Sequence, residues 1–355
     1  MDRDSLCWED VEEGQTLPSF TYELSLLRLV AFVRASGLYD YVHFDGDYAR
    51  AAGARDAFIS TPHVAGLFGR LLTDWSGPEA EIRSLTFSML TQSCTNDVLT
   101  VGGRVGRRYR GEDGAYLVDL VDLNIGHALA PHAATATATM SLPSRSGEKA
   151  RLLDAGRAGE AEPSVADVPD FARPFLGKSR PGGSLPARPL TKEDIHLWCE
   201  ALEDWNPLYW DEAYAASSRH GGIVAPPTGM FFGAGSAVGL GVGYLKPGER
   251  VPDSVRQGLT GLPLLQSLRQ GFAQAGALVT PPDCSEIAVV QAVSRFFAPL
   301  RPGDTARGEL RMKRCSQRKA TKLGEGYFIT TERAFYNQRN ELVRTQDFTV
   351  LHYRV

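Results

Sequence analysis

The sequence predicts an α+β fold made of two copies of one unit, on three observations. One order of elements occurs twice: an amphipathic helix, a polar turn, a short helix, an apolar helix and then four strands of two-residue period. The turn segments of the two copies agree best, His43-Phe-Asp-x-x-Tyr-Ala beside Tyr209-Trp-Asp-x-x-Tyr-Ala. A long apolar helix followed by a strand meander buries that helix against one face of an antiparallel sheet, and a tandem copy covers the edge a single unit leaves open. The expected result is a pseudo-twofold pair.

The first unit is expected over 1–143. Ser25 caps a helix that carries Leu26, Leu27, Leu29, Val30, Phe32 and Val33 and ends near Gly37. A short helix follows at 47–52, and then Val64, Leu67, Phe68, Leu71 and Leu72 mark the broad apolar face of a longer one. From Glu81 the period changes to two, and strands are expected at 82–90, 98–106, 115–123 and 134–142. Periodicity then fails while Gly, Pro, Arg and Ala accumulate, so 144–176 reads as a linker.

The second unit is expected over 177–355. Thr191, followed by Glu193 and Asp194, starts a helix whose apolar face is Ile195, Trp198, Cys199 and Leu202. Pro207 lacks an amide hydrogen and biases Asn206 away from the α region, so Asp204 and Asn206 fall on a turn. A short helix at 212–218 and an apolar helix opening at Pro227-Thr-Gly-Met230 come next, and strands are expected at 287–297, 306–313, 326–336 and 342–353. A Gly- and Leu-rich insertion at about 237–282 separates that helix from the strands.

At 355 residues the chain has room for two or three domains with cores of ordinary size, and 43% hydrophobic with 23% charged residues suits a globular protein. A net charge of −4 argues against nucleic acid as a partner. The five cysteines (Cys7, Cys94, Cys199, Cys284 and Cys315) lie far apart, without zinc-ligand spacing, which fits a reducing compartment and implies no metal. The acidic start lacks the apolar core of a signal peptide, and no run approaches the ~18 apolar residues of a membrane span. The expected location is cytoplasmic, away from membranes.

Asp204-Trp-Asn-Pro-Leu-Tyr-Trp-Asp211 resembles the Asp-x-Asn-Pro-Leu/Ile-His-x-Asp signature of the MaoC-like, or (R)-specific enoyl-CoA hydratase, branch of the hotdog fold. Gly221-Gly-Ile-Val-Ala-Pro-Pro227 looks like the lead-in to that family's central helix. Arg295-Phe-Phe-Ala-Pro-Leu-Arg-Pro-Gly-Asp-Thr305 and Lys322-Leu-Gly-Glu-Gly-Tyr-Phe-Ile-Thr330 look like its later strands. The likeness covers most of the chain except the linker and the insertion. It implies two hotdog domains in tandem, no cofactor, and an acyl-CoA or acyl-carrier-protein thioester, or another small hydrophobic molecule, as substrate. A homodimer or larger assembly is compatible with it.

In the family the signature Asp and His hold and activate a water, the Asn orients them, and an amide at the start of the central helix polarises the thioester carbonyl. Here Asp204 and Asn206 match, while Tyr209 stands in the His place and is a poor base, with an ordinary pKa near 10. In the first unit His43 matches, while Leu38 and Asp40 stand in the Asp and Asn places. The resemblance puts the two loops in separate sites, so Asp40 is expected to orient His43 and raise its pKa as a shifted dyad. Gly229 is the candidate amide donor for the acyl oxygen.

Each residue has a structural reading as well. His43 and Asp40 could be turn residues, and Asp204 and Asn206 before Pro207 could make side-chain turns. Asp45 and Asp211 read as helix caps and His63 as a packing residue. The glycine run at 233–243 follows a helix rather than a strand, unlike a nucleotide loop. The basic run from Lys313 to Lys322 reads as a solvated turn, or as a seat for coenzyme A phosphates. The resemblance implies an enoyl-thioester hydratase or 3-hydroxyacyl-thioester dehydratase, or a derivative, acting on a bulky acyl group such as a sterol or polyketide. The alternatives are a repurposed cyclase working on a biosynthetic intermediate and a non-catalytic acyl-binding partner of a hydratase.

Overall fold

The computed structural model describes residues 5–38, 40–155, 168–182, 189–229, 279 and 281–354. The expected apolar helix after Pro227, the glycine run, almost all of the insertion and part of the linker lie outside the described residues.

In the first unit β1 is Phe20–Glu23, followed by α1 (Leu26–Ser36), α2 (Gly46–Ala51) and α3 (Thr61–Ser76). Strands β2 (Glu81–Met89), β3 (Val98–Arg110), β4 (Tyr116–His127) and β5 (Ala130–Ser141) complete it. The caps are those the sequence calls for. The Ser25 hydroxyl accepts from the Arg28 amide, Gly37 closes α1 with φ 66°, and the Asp45 carboxylate accepts from Tyr48 N at the start of α2.

The second unit repeats the order with β6 (Ser179–Gly182), α4 (Lys192–Leu202), α5 (Pro207–Trp210), α6 (Glu212–Ser217), β7 (Glu286–Phe296), β8 (Ala306–Cys315), β9 (Lys319–Thr321), β10 (Gly324–Asn337) and β11 (Leu342–Arg354). Thr191 and Asp194 form a capping box on α4, and Glu203 ends it in the left-handed region at φ 57°. Strand β9 is a departure from expectation: part of the basic run read as a solvated turn pairs with Gly324–Gly326, because the following strand offers it a partner edge. Lys313, at the head of that run, is held by Glu332 at 3.1 Å and Asp347 at 3.0 Å.

Among the described residues the strands form one sheet in the order β1-β3-β4-β5-β2-β7-β11-β10-β8-β6, with β9 on β10. Taken from either edge to the middle, the order is the same for both units, which makes the molecule the expected tandem hotdog pair. The units join where β2 and β7 pair antiparallel, from Ser84↔Arg295 to Phe87↔Ala292.

Helix α3 is the centre of the first unit, with Leu67, Phe68, Leu71 and Leu72 fully enclosed. Each such side chain contributes about 1.5–3 kcal/mol by leaving water. The face of α3 toward the second unit carries two glycines where the helices come close: a methyl group on Gly66 would stand 2.5 Å from Leu202, and one on Gly69 2.5 Å from Thr228. Across the same seam Tyr22 donates to Ala201 O at 2.6 Å and Arg70 to Leu202 O at 2.8 Å. The last turn of α4, directly before the signature turn, therefore rests on the first unit.

Candidate active site

Asp40 caps a single 3-10 turn at Tyr41–His43, its carboxylate 3.5 Å from the Val42 amide. The turn is tied down where Phe58 N donates to Val42 O at 3.1 Å. His43 is buried, and its Nδ1 lies 2.8 Å from Phe58 O. A carbonyl only accepts, so Nδ1 carries the hydrogen and Nε2 keeps its lone pair.

This corrects the expectation for the pair. Phe58 O, not Asp40, orients the imidazole, and the pKa of His43 is lowered rather than raised, because burial outweighs the Asp40 charge. Burial likewise raises the Asp40 pKa, against the pull of His43 and the Val42 amide. The result is a neutral imidazole beside a carboxyl that protonates more readily than usual.

Asp40 and His43 line one cleft of about 950 Å³ together with Ser60, Thr61 and Pro62. The last three form the start of α3, where Pro62 sits in the first turn and the leading amides have no acceptor within the helix. Ser60 is the residue before that helix. It is buried, its side chain makes no cap bond, and its hydroxyl has no hydrogen-bond partner among the described residues. Sequence reasoning passed over Ser60; a hydroxyl directly before Thr-Pro at a helix start was the available signal. An oxygen gaining negative charge here would meet a hydroxyl donor and a helix N-terminus together.

The second turn differs. Asp204 Oδ1 accepts from Asn206 N at 3.2 Å, Asn206 Oδ1 accepts from Leu208 N at 3.0 Å, and Trp210 donates to Asp204 O at 2.8 Å. Asp211 caps α6 through the Ala213 and Tyr214 amides. Asn206, Tyr209 and Gly229 border a space of only about 50 Å³, which Asp204 does not line. Arg219 lies across the units there, 2.8 Å from Glu81. Burial, then the Asp204 charge, raises the Tyr209 phenol well above its ordinary value. The Gly229 amide, expected to face an acyl oxygen, instead donates to Pro226 O at 2.9 Å, closing a turn. The structure thus brings Asp40 and His43 together in one cleft and gathers Asn206, Tyr209 and Gly229 at another.

His63, two residues into α3, is wholly buried and stacked on Phe32 at 4.0 Å, with Nε2 3.2 Å from the Tyr22 hydroxyl. Burial lowers its pKa to about 3, so it packs as a neutral ring. Among the described residues no group of three His, Cys, Asp or Glu side chains could hold a metal ion, and no helix is long and apolar enough to cross a membrane.

Residues 186–246 match the FAS1-like dehydratase domain region. The chain is 31% identical over 129 residues to the 3-oxo-4,17-pregnadiene-20-carboxyl-CoA hydratase beta subunit of Mycobacterium tuberculosis, covering 36% of this chain and 95% of that one. It is 28% identical over 179 residues, 50% of its own length, to a protein of Thermomonospora curvata named probable enoyl-CoA hydratase alpha subunit, and spans 48% of that relative's length. A MaoC-domain protein dehydratase from Chloroflexus aurantiacus superposes with a TM-score of 0.65 at 13% identity, covering 99% of this chain and 98% of the other. A double-hotdog protein of M. tuberculosis superposes at 0.59 and 15% identity, covering 98% and 99%. At these identities the two structures speak for the fold.

Proposed function

Because this chain belongs to the MaoC-like hydratase family, in its tandem hotdog form, we propose that it adds water to the double bond of a trans-2-enoyl thioester, or removes it in reverse, in the first-unit cleft. The observation that carries this reading is the opening of Asp40, His43 and Ser60 onto one large cleft, while the second turn borders a space of about 50 Å³, room for a water or two.

His43 Nε2 takes a proton from the attacking water as its oxygen bonds to C3. Charge moves onto the thioester oxygen, where the Ser60 hydroxyl and the α3 N-terminus stabilise it. C2 then takes that proton back from the imidazolium, which the Asp40 carboxylate stabilises while it carries the charge. One water is added and the imidazole is reset. A cleft of about 950 Å³ has room for a bulky acyl group, in line with the steroid-type thioester in the name of one relative. Since the paired arrangement lies within one chain, no second polypeptide is needed to form this site.

The test follows enone absorbance of medium-chain and steroid-type enoyl-CoA thioesters. Turnover should fall on the order of 100-fold or more in His43→Ala and persist in Tyr209→Phe. Absence of turnover with every thioester removes the hydratase reading. Loss in Tyr209→Phe with survival in His43→Ala would move the chemistry to the second turn.

A further inference from the structure

The concave faces of the two half-sheets differ in chemistry. In the first unit the buried residues along the middle of β4 and β5 are apolar, among them Val118, Leu120, Ile125, Ala136, Ala138 and Met140, with the buried polar His127 and Ser141 at the strand ends. On the corresponding strands β10 and β11, Arg333 pairs across the ladder with Gln346, and Phe335 with Arg344. Alternation places these on the face opposite Glu332 and Asp347, which are engaged with Arg311 and Lys313. Arg333, Arg344, Gln346 and Ser294 all line the cleft that holds Asp40 and His43.

Arg333 forms no ion pair or hydrogen bond among the described residues, and its Nε is buried and unbonded. Its guanidinium lies 5.1 Å from the centre of the Phe348 ring. Arg344 reaches the carbonyls of Gly229 at 3.2 Å and Thr228 at 3.4 Å and lies 5.2 Å from the Phe335 ring. Burial lowers both arginines, Arg344 to about 9 with the Arg333 charge adding to the effect, and a guanidinium keeps its proton in proteins. Gln346 Nε2 donates to Ser294 Oγ at 3.3 Å. Glu309, which also borders the cleft, is paired with Arg307 at 2.5 Å. Arg333 is part-buried with its Nε closed off from water, and a guanidinium that loses part of its hydration is stabilised by an accompanying anion. A planar fork of donors is suited to a carboxylate.

We propose that this end of the cleft is a carboxylate subsite. Arg333, with Gln346 beside it and Arg344 adding positive charge, takes a carboxylate at the far end of the acyl group. The substrate class is therefore an enoyl thioester whose acyl chain ends in a carboxylate. The proposal rests on the hydratase reading of Asp40 and His43, which sets the thioester at the other end of the same cleft.

The experiment compares a medium-chain ω-carboxyl trans-2-enoyl-CoA with its methyl ester. Wild type should favour the acid in kcat/KM by roughly 30-fold or more, and Arg333→Leu should abolish that preference while still turning over the ester. Titration calorimetry with the saturated ω-carboxyl acyl-CoA and its ester, which cannot be hydrated, separates the two readings. A preference for the acid in binding, without turnover of any thioester, keeps the subsite and removes the hydratase. Equal turnover and equal binding of acid and ester overturn the subsite alone. If Arg333→Leu does not fold, Arg333→Gln takes its place. If the variant melts earlier than wild type and keeps the acid preference, the charge serves a contact within the chain and the proposal falls.

Discussion

Nδ1 of His43 donates to the carbonyl oxygen of Phe58 across 2.8 Å, a bond that fixes the tautomer and leaves Nε2 as the basic atom. Burial, the largest influence on this ring, lowers its pKa, and the Asp40 charge opposes it. A base must be neutral to work, so kcat/KM should hold as pH falls past the ordinary histidine value of about 6.5 and decline only below it. Asp40→Asn removes the charge that raises His43, so the acid limb should move to still lower pH while the rate drops. A wild-type limb at or above the ordinary value, or an upward shift in Asp40→Asn, would contradict the neutral-base reading.

Ser60 lines the cleft, and its buried hydroxyl makes no bond to its helix. Ser60→Ala should therefore lower kcat on the order of 100-fold, as loss of one oxyanion donor does. Stability should stay within about 0.5 kcal/mol of wild type, since no cap bond is lost. A helix cap without a chemical role would give the reverse pattern, with an earlier melt and an unchanged kcat.

Strand positions were legible because alternation is local: β3, β8 and β11 begin at the expected residues. The caps at Ser25, Asp45, Thr191 and Asp211 were legible for the same reason, each bonding within three residues. What the sequence hid is tertiary. The acceptor for His43 lies 15 positions away, and the ion pair beside the second turn joins Arg219 to Glu81, which are distant in the chain. The direction of the His43 shift depends on how much water the fold removes, which no spacing encodes. Gly229 looked like a donor by position, but its amide closes a turn with Pro226.

His63 carries a stability prediction. Its folded pKa is about 3, against about 6.5 in an unfolded chain. In that window the unfolded state binds a proton that the folded state refuses. Stability is thus full above about 6.5 and is lost as pH falls toward 3, by about 2 kcal/mol at about pH 5. His220 and His352, each lowered to about 4 by burial first, add slopes of the same sign. Urea melts of wild type and His63→Gln, near neutral pH and near pH 5, isolate the His63 share. The variant should lose less stability on acidification, and parallel losses would place this histidine in contact with water.

Gly69 tests how the two units are locked. On helix propensity alone, Gly69→Ala inside α3 should stabilise by about 1 kcal/mol. The added methyl, however, would stand 2.5 Å from Thr228 Oγ1, 2.9 Å from Cγ2 and 3.2 Å from Cβ. Thr228 is buried, and Arg344 bonds its carbonyl at 3.4 Å, so it has little freedom to withdraw. Overpacking of this kind costs about 1–3 kcal/mol, so the net expectation is an earlier melt. Thr228→Ala removes the two nearest atoms and leaves only the contact at 3.2 Å. Combined with Gly69→Ala it should recover much of the loss, giving a coupling energy above about 0.5 kcal/mol in a double-mutant cycle. Additive effects of the two substitutions would mean that α3 does not meet Thr228 this closely, and that the seam between the units is held elsewhere.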